Sequence, residues 1–213
     1  MRSSRSMNRL ADHLRRQGFA VLNLDYPSTS RSLEALASLV HPQVAAFCGD
    51  CLEVHFVGFS MGGLLVRAYL GKHRPGNLGR IVMIGTPNNG SEVADILKTS
   101  RLFRAICGPA GQQLVTDQSA FADVFGEPRC DVGIIAGNAR GNPLARYLFD
   151  APNDGKVSVA STLLPGCRDH VVVRRNHTLL VLADATLRET AAFLRDGKFS
   201  DEAERMISLS SSE

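Results

Sequence analysis

The stretch Gly58-Phe59-Ser60-Met61-Gly62 decides the fold of this chain, because one apolar run leads into it and another leads away. Residues 52–57 are typical of a β-strand, and residues 63–70 are typical of an α-helix. A G-x-S-x-G sequence between a strand and a helix predicts a sharp turn that raises the serine hydroxyl above the edge of a sheet. We expect the turn to require glycine at positions 58 and 62, because a side chain at Gly58 or Gly62 would collide with neighbouring backbone.

Apolar runs alternate with amphipathic segments along the rest of the chain. Further strands are predicted at 20–24, 80–84, 131–136 and 171–174, and further helices at 5–17, 32–47, 91–98 and 178–195. Strands that alternate with helices predict an α/β fold, a mostly parallel sheet of about five strands flanked by helices. We assign residues 1–199 to this single domain, with a small lid-like insertion near 99–128, and residues 200–213 to a polar tail.

Composition narrows the possible partners. The 213 residues are 44% hydrophobic, enough for one substantial core, and carry a net charge of +3. The chain has no tryptophan and three tyrosines, so it lacks the basic patch with interleaved aromatics that nucleic-acid binding would require. No apolar run is long enough to cross a bilayer, and the chain as it stands has no secretory signal, which predicts a cytoplasmic protein without a transmembrane segment in this chain. A natural N-terminus further upstream could add an export signal or a membrane anchor.

The chain has five cysteines, and Cys48-Gly49-Asp50-Cys51 is the one CxxC pair among them. A zinc site would need a second pair or two suitably spaced histidines, and neither is present. A redox motif normally follows its strand and opens a helix, whereas this pair precedes a strand. We therefore expect reduced thiols and no metal or cofactor, with a redox module on Cys48 and Cys51 as the alternative.

A serine nucleophile needs a base, and the active groups of a parallel α/β sheet gather at the carboxyl ends of its strands. Of the six histidines, His177 follows a predicted strand and lies directly before the final helix. His170 enters that same strand at its amino end, and His55 lies inside the strand before the serine. These positions favour His177 as the general base.

The base in turn needs a carboxylate that orients it. Asp131 opens its strand, and Asp25 precedes the serine, whereas chains with this serine turn run in the order serine, acid, histidine. Asp150 and Asp154 remain. We prefer Asp154 because Asn153-Asp154-Gly155 predicts a turn that holds the carboxylate on a defined loop, although the same tripeptide is compatible with a simple turn.

Five segments resemble those of bacterial lipases and esterases of the α/β-hydrolase superfamily, and they occur in the expected order. The segments are NLDYPS at 23–28, GFSMGG at 58–63, GTPNNGS at 85–91, NDGKVSV at 153–159 and NHT at 176–178. The resemblance implies that Ser60 is the nucleophile, Asp154 the acid and His177 the base. It also implies that the backbone N–H of Met61 is one oxyanion donor.

The activity implied by the resemblance is hydrolysis of carboxylic esters by a lipase- or esterase-type serine hydrolase, with a small-molecule ester or lipid as substrate. Residues 99–128 could line an acyl site as a lid or simply cover the core. Two alternatives use the same fold: a catalytically impaired protein that binds a lipid or a protein, and an acyltransferase or thioesterase with the same triad.

The resemblance has one gap. In similar enzymes a second oxyanion donor follows a His-Gly pair at the end of an earlier strand, and this chain has no such pair. That strand would lie between the strands at 20–24 and 52–57. We expect that Met1 is an internal start and that the natural protein extends upstream. Loss of one oxyanion donor typically costs about 2.7–4 kcal/mol of transition-state stabilisation, so we expect reduced activity.

Overall fold

A computed structural model describes residues 4–28, 30–49, 51–90, 125, 129–139 and 151–200. Apart from residues 125 and 200, the predicted lid-like insertion and the polar tail lie outside the described residues. Asp150 and the predicted helix at 91–98 lie outside them as well.

Four strands form one parallel sheet in the described part of the chain. They are β1 (Val54–Phe59), β2 (Leu78–Ile84), β3 (Val132–Gly137) and β4 (Asp169–Val173). The strands lie side by side in chain order, and each neighbouring pair is parallel. Every residue of β3 is buried, as expected for an inner strand of a sheet that is covered on both faces. The predicted α/β fold is confirmed.

Helices cover both faces of this sheet. They are α1 (Asn8–Arg16), α2 (Leu33–Cys48), α3 (Met61–Lys72), α4 (Val159–Thr162), α5 (His177–Leu180) and α6 (Asp184–Asp196). Buried side chains of α2 and α3 share one core cluster with Ile81 and Met83. Those of α1 and α6 share the other with Val82 and Ile84. Alternate residues of β2 thus face opposite cores.

Helix α2 matches the predicted helix at 32–47 and continues through Pro42 without a break. The predicted final helix at 178–195 is two helices, α5 and α6, because Ala183 adopts an extended conformation with φ −71° and ψ 136°. The interruption lets His177 stand at the start of its own short helix.

The segment at 20–24, predicted as a strand, has no regular secondary structure. A cavity of about 630 Å³ is lined on one side by residues 18–26 and on the other by β1. A strand forms only when its backbone groups pair with a neighbouring strand, and here the cavity lies between the two segments. At the carboxyl end of β1, this cavity reaches Ser60.

Candidate active site

Ser60 occupies the turn between β1 and α3 in a strained backbone conformation. Its φ is 55° and its ψ is −125°, a region that residues with a side chain rarely adopt. The Ser60 amide donates to the Ile84 carbonyl at 2.8 Å, and the Gly63 amide donates to the Ser60 carbonyl at 3.1 Å. These hydrogen bonds on both sides of the residue hold it in the strained conformation.

Close packing explains two glycines of this turn but not the third. A Cβ at Gly58 would lie 2.5 Å from the Gly63 Cα, which confirms the predicted collision. The predicted collision at Gly62 is wrong, because the nearest atom there is the Tyr26 hydroxyl at 3.5 Å, an ordinary contact. The tight position is Gly63, where a Cβ would lie 2.1 Å from Thr86 Oγ1. The start of α3 packs directly against the loop that follows β2.

Asp154 lies in a turn whose backbone amides hold its carboxylate. Its Oδ1 accepts hydrogen bonds from the amides of Lys156 and Val157, both at 2.9 Å. The Asn153 side chain accepts from the Gly155 amide at 3.0 Å, and Gly155 has a φ of 92°, which favours glycine. The carboxylate is 2% exposed, and its second oxygen, Oδ2, remains to accept from a side chain.

His177 follows β4 and is oriented by Asp154 through two hydrogen bonds. The His177 amide donates to the Asp154 carbonyl at 2.8 Å, and His177 Nδ1 lies 2.7 Å from Asp154 Oδ2. A carboxylate oxygen can only accept, so the proton of the imidazole is on Nδ1. The Asn176 side chain caps α5 by accepting from the Leu179 amide at 3.0 Å, which fixes the start of the helix.

The structure brings Ser60, His177 and Asp154 together from three distant parts of the chain. His177 Nε2 lies 2.9 Å from Ser60 Oγ. With the proton on Nδ1, the Nε2 lone pair accepts from the serine hydroxyl. A hydroxyl, an imidazole and a carboxylate connected in this way can transfer the serine proton to the histidine when the serine attacks a carbonyl carbon.

Two further glycines lie beside these side chains, and sequence reasoning assigned no role to either. A Cβ at Gly137 would lie 2.6 Å from the Arg175 carbonyl oxygen and 2.8 Å from the Asp154 Cβ. Gly85 has a φ of 53°, which favours glycine, and a Cβ there would lie 3.2 Å from the Leu180 side chain. The sequence feature that could have identified them is their position, since Gly137 ends β3 and Gly85 directly follows β2.

The Met61 amide directly follows Ser60 at the start of α3. Met61 is the first residue of α3, so its N–H is one of the donors that have no acceptor within the helix. The N-terminus of a helix also carries a partial positive charge. This position suits an amide that stabilises a negatively charged oxygen.

A family model matches a large part of the chain. The model for palmitoyl protein thioesterase matches residues 1–132. The chain belongs to this family. The matched part contains the Ser60 turn, whereas Asp154 and His177 lie beyond it. No curated protein sequence matches the chain significantly.

Solved structures with the same fold include two enzymes with named activities. The mature lipase BlEst2 of Bacillus licheniformis is 20% identical, with a TM-score of 0.71 over 91% of this chain and 86% of that chain. A metagenomic carboxyl esterase, MGS0156, is 20% identical, with a TM-score of 0.65 over 79% of this chain and 57% of that chain.

A third structure, the lin2722 gene product of Listeria innocua, is 16% identical, with a TM-score of 0.60 over 95% of this chain and 92% of that chain. The similarity to these structures shows that this chain has an α/β-hydrolase fold, as its sequence motifs imply. Family and fold place the chain among the hydrolases. No helix in the described ranges is long and apolar enough to span a membrane.

Two other histidines of this family member lie within the sheet and away from Ser60. His55 Nδ1, in β1, accepts from the Arg80 amide at 2.8 Å, and burial lowers the His55 pKa from its ordinary value. His170 lies in β4, and burial also lowers its pKa. Both environments favour a neutral imidazole in the interior, which fits a structural role.

Proposed function

We propose that this chain is a serine hydrolase that cleaves carboxylic esters through an acyl-enzyme on Ser60. The observation that carries the proposal is the continuous hydrogen-bonded chain from Asp154 Oδ2 to His177 to Ser60 Oγ, with distances of 2.7 and 2.9 Å. The strained turn supports the same role, because backbone strain of this kind persists where the surrounding structure enforces it, typically at functional sites.

In the acylation step, Ser60 Oγ attacks the ester carbonyl while His177 Nε2 accepts the serine proton. Asp154 accepts from His177 Nδ1 throughout and stabilises the imidazolium that forms. His177 then donates the proton to the leaving alcohol, and the carbonyl carbon remains bonded to Ser60. In the second step His177 takes a proton from water, and the resulting attack releases the carboxylic acid and restores the serine.

The Met61 amide is the oxyanion donor that we assign. It would donate to the carbonyl oxygen as that oxygen becomes negative in both steps. Removing one donor from a two-donor site typically lowers the rate about 100- to 1,000-fold.

A second candidate reaction is hydrolysis of S-acyl thioesters, which the family match favours. The acyl-enzyme would be the same, and the leaving group would be a thiol instead of an alcohol. A thiol is far more acidic than an alcohol, so its departure depends less on protonation by His177. The two substrate classes should therefore differ in how strongly their rates depend on that side chain.

The apolar cavity beside Ser60 suits the acyl group of either substrate. Ser60 and Met61 line it together with Tyr26, and its wall continues along β1 to Val54. Cavities lined mainly by apolar side chains with a few polar groups at one end are the usual sites for such ligands. We propose that the acyl group of the substrate occupies the end of this cavity formed by Ser60, Met61 and Tyr26.

The test is hydrolysis of p-nitrophenyl esters and S-acyl thioesters with acyl chains from acetyl to palmitoyl. Ser60→Ala should abolish turnover, whereas Ser38→Ala, a matched change on the exposed face of α2, should leave it unchanged. Turnover that survives Ser60→Ala would contradict the proposal. No turnover of any ester or thioester by the folded wild-type chain would favour an impaired binding protein instead. The ratio of ester to thioester rates distinguishes the two candidate reactions.

A further inference from the structure

Cys48 and Cys51 lie at the two ends of a hydrogen-bonded turn between α2 and β1. The Cys51 amide donates to the Cys48 carbonyl at 3.2 Å. The ends of such a four-residue turn have Cα atoms within about 7 Å of each other. Disulfides form at Cα separations of about 4.4–6.8 Å, so the backbone already holds the two cysteines in the range that a disulfide requires.

Asn77 fixes this turn from a different part of the chain. Its side-chain Nδ2 donates to the Cys51 carbonyl at 2.6 Å and to the Cys48 carbonyl at 3.5 Å. Asn77 directly precedes β2, so the turn is attached to the sheet. Since these contacts use backbone carbonyls, they hold the cysteines together whatever the state of the sulfurs.

The two thiols differ in accessibility. Cys48 is buried, and burial, followed by the nearby Cys51, raises the pKa of its thiol. Cys51 is partly exposed, and its Sγ donates to the Phe47 carbonyl at 3.2 Å. Both cysteines line the cavity that ends at Ser60. Cys51 is therefore the thiol that a small reagent reaches first.

We propose that Cys48 and Cys51 form a redox-active dithiol that a low-molecular-weight disulfide, such as oxidised glutathione, converts into an intramolecular disulfide. The Cys51 thiolate attacks one sulfur of oxidised glutathione and releases one reduced glutathione. The Cys48 thiolate then attacks the Cys51 sulfur of the mixed disulfide and releases the second. Two protein thiols are oxidised, and one glutathione disulfide is reduced to two thiols.

The position of the pair sets its kinetics and its stability. Redox-active CxxC thiols are acidic when they lie at a helix N-terminus. Cys48 is the last residue of α2, where the helix dipole disfavours a thiolate. The reduced form thus lacks the stabilisation that makes some CxxC disulfides strong oxidants. We expect slow oxidation and a disulfide that persists once it has formed.

The experiment treats the reduced full-length chain with oxidised glutathione and follows it by intact mass and peptide mapping. The wild-type chain should lose two hydrogens, with the linkage mapped to Cys48 and Cys51. Cys48→Ser should instead retain one glutathione on Cys51, because the second thiol is absent. The control Cys107→Ser/Cys130→Ser/Cys167→Ser, in which Cys48 and Cys51 are the remaining cysteines, should form the 48–51 disulfide as the wild type does.

Three results would overturn the proposal. A lasting glutathione adduct on Cys51 of the wild-type chain would show that Cys48 does not attack it. A linkage mapped to other cysteines would place the redox chemistry elsewhere, and no reaction after prolonged incubation would show that the thiols are inert. These readouts measure only thiols, so the result is independent of whether the chain hydrolyses esters.

Discussion

The two ends of the sheet use polar side chains in different ways. At the carboxyl ends of the strands, Asp154 and His177 are 2% and 4% exposed and hydrogen-bond in series to Ser60. At the amino ends, Arg80 and Asp131 approach to 3.8 Å with 27% and 37% of their side chains exposed. The first group is buried and connected, whereas the second is partly solvated.

The difference lies in the backbone that each end supplies. The turn at residues 153–157 supplies two backbone amides that donate to Asp154 Oδ1, so a buried carboxylate is compensated. At the amino ends the arginines close helix α6 instead. Arg80 donates to the Leu194 carbonyl at 2.9 Å, and Arg168 donates to the Gly197 carbonyl, also at 2.9 Å. The carboxylate of Asp154, at the carboxyl ends of the strands, should therefore matter for activity. The carboxylate of Asp131, at the amino ends, should contribute only modestly to stability.

The largest expected effect is that of Asp154→Asn on ester hydrolysis. An amide in place of the carboxylate can donate to Nδ1 and favour the wrong tautomer of His177, so Nε2 no longer accepts the serine proton. We expect kcat to fall by about 10⁴-fold, the loss known for this change in serine proteases. Asp131→Asn, the same change at the amino end, is the control and should leave kcat unchanged. Equal losses in both variants would contradict the distinction between the ends.

The next effect concerns packing beneath the serine turn. Gly63→Ala places a Cβ against Thr86, and overpacking of this kind typically costs about 1–3 kcal/mol of unfolding free energy. Gly62→Ala is the matched control, since its contact is ordinary and alanine favours a helix by about 0.5–1 kcal/mol over glycine. Urea unfolding of both variants measures the difference. A less stable Gly62→Ala than Gly63→Ala would mean that Thr86 is not the limiting contact.

A smaller effect is expected from His55 in the amino half of β1. Because burial lowers its pKa in the folded state, the folded chain binds fewer protons there than the unfolded chain. Its contribution to stability is therefore present above the unfolded pKa of about 6.5 and is lost as the pH falls below that value. The unfolding free energy of the wild type should fall more steeply on acidification than that of His55→Gln. Parallel pH profiles would contradict this.

The smallest effect is that of Asp131→Asn on stability. Asp131 pairs with Arg80 at 3.8 Å and with Arg168 at 3.3 Å, and all three side chains are partly exposed. Pairs of this kind contribute about 0–1 kcal/mol each. The loss of both pairs should lower the unfolding free energy by about 0–2 kcal/mol in total and should shrink at high salt. A loss that is unaffected by salt would indicate a contact other than ion pairing.

The locations of the site residues follow from local sequence, whereas their packing does not. Ser60 and His177 can be placed because each follows an apolar strand, and Asp154 because its neighbours form a turn. The tight position at Gly63 depends on Thr86, which lies on another loop, so the turn sequence gives no reason to prefer it over Gly62. Likewise, residues 20–24 have the composition of a strand, but strand formation depends on a neighbour that local sequence does not reveal.

The most direct test of the central claim is the site of covalent labelling by a p-nitrophenyl alkylphosphonate, which reacts with an activated serine and resembles the tetrahedral intermediate. A single adduct on Ser60 is expected, formed much more slowly in His177→Ala than in the wild type. An adduct on another residue, or none on a chain that is folded by circular dichroism, would contradict it.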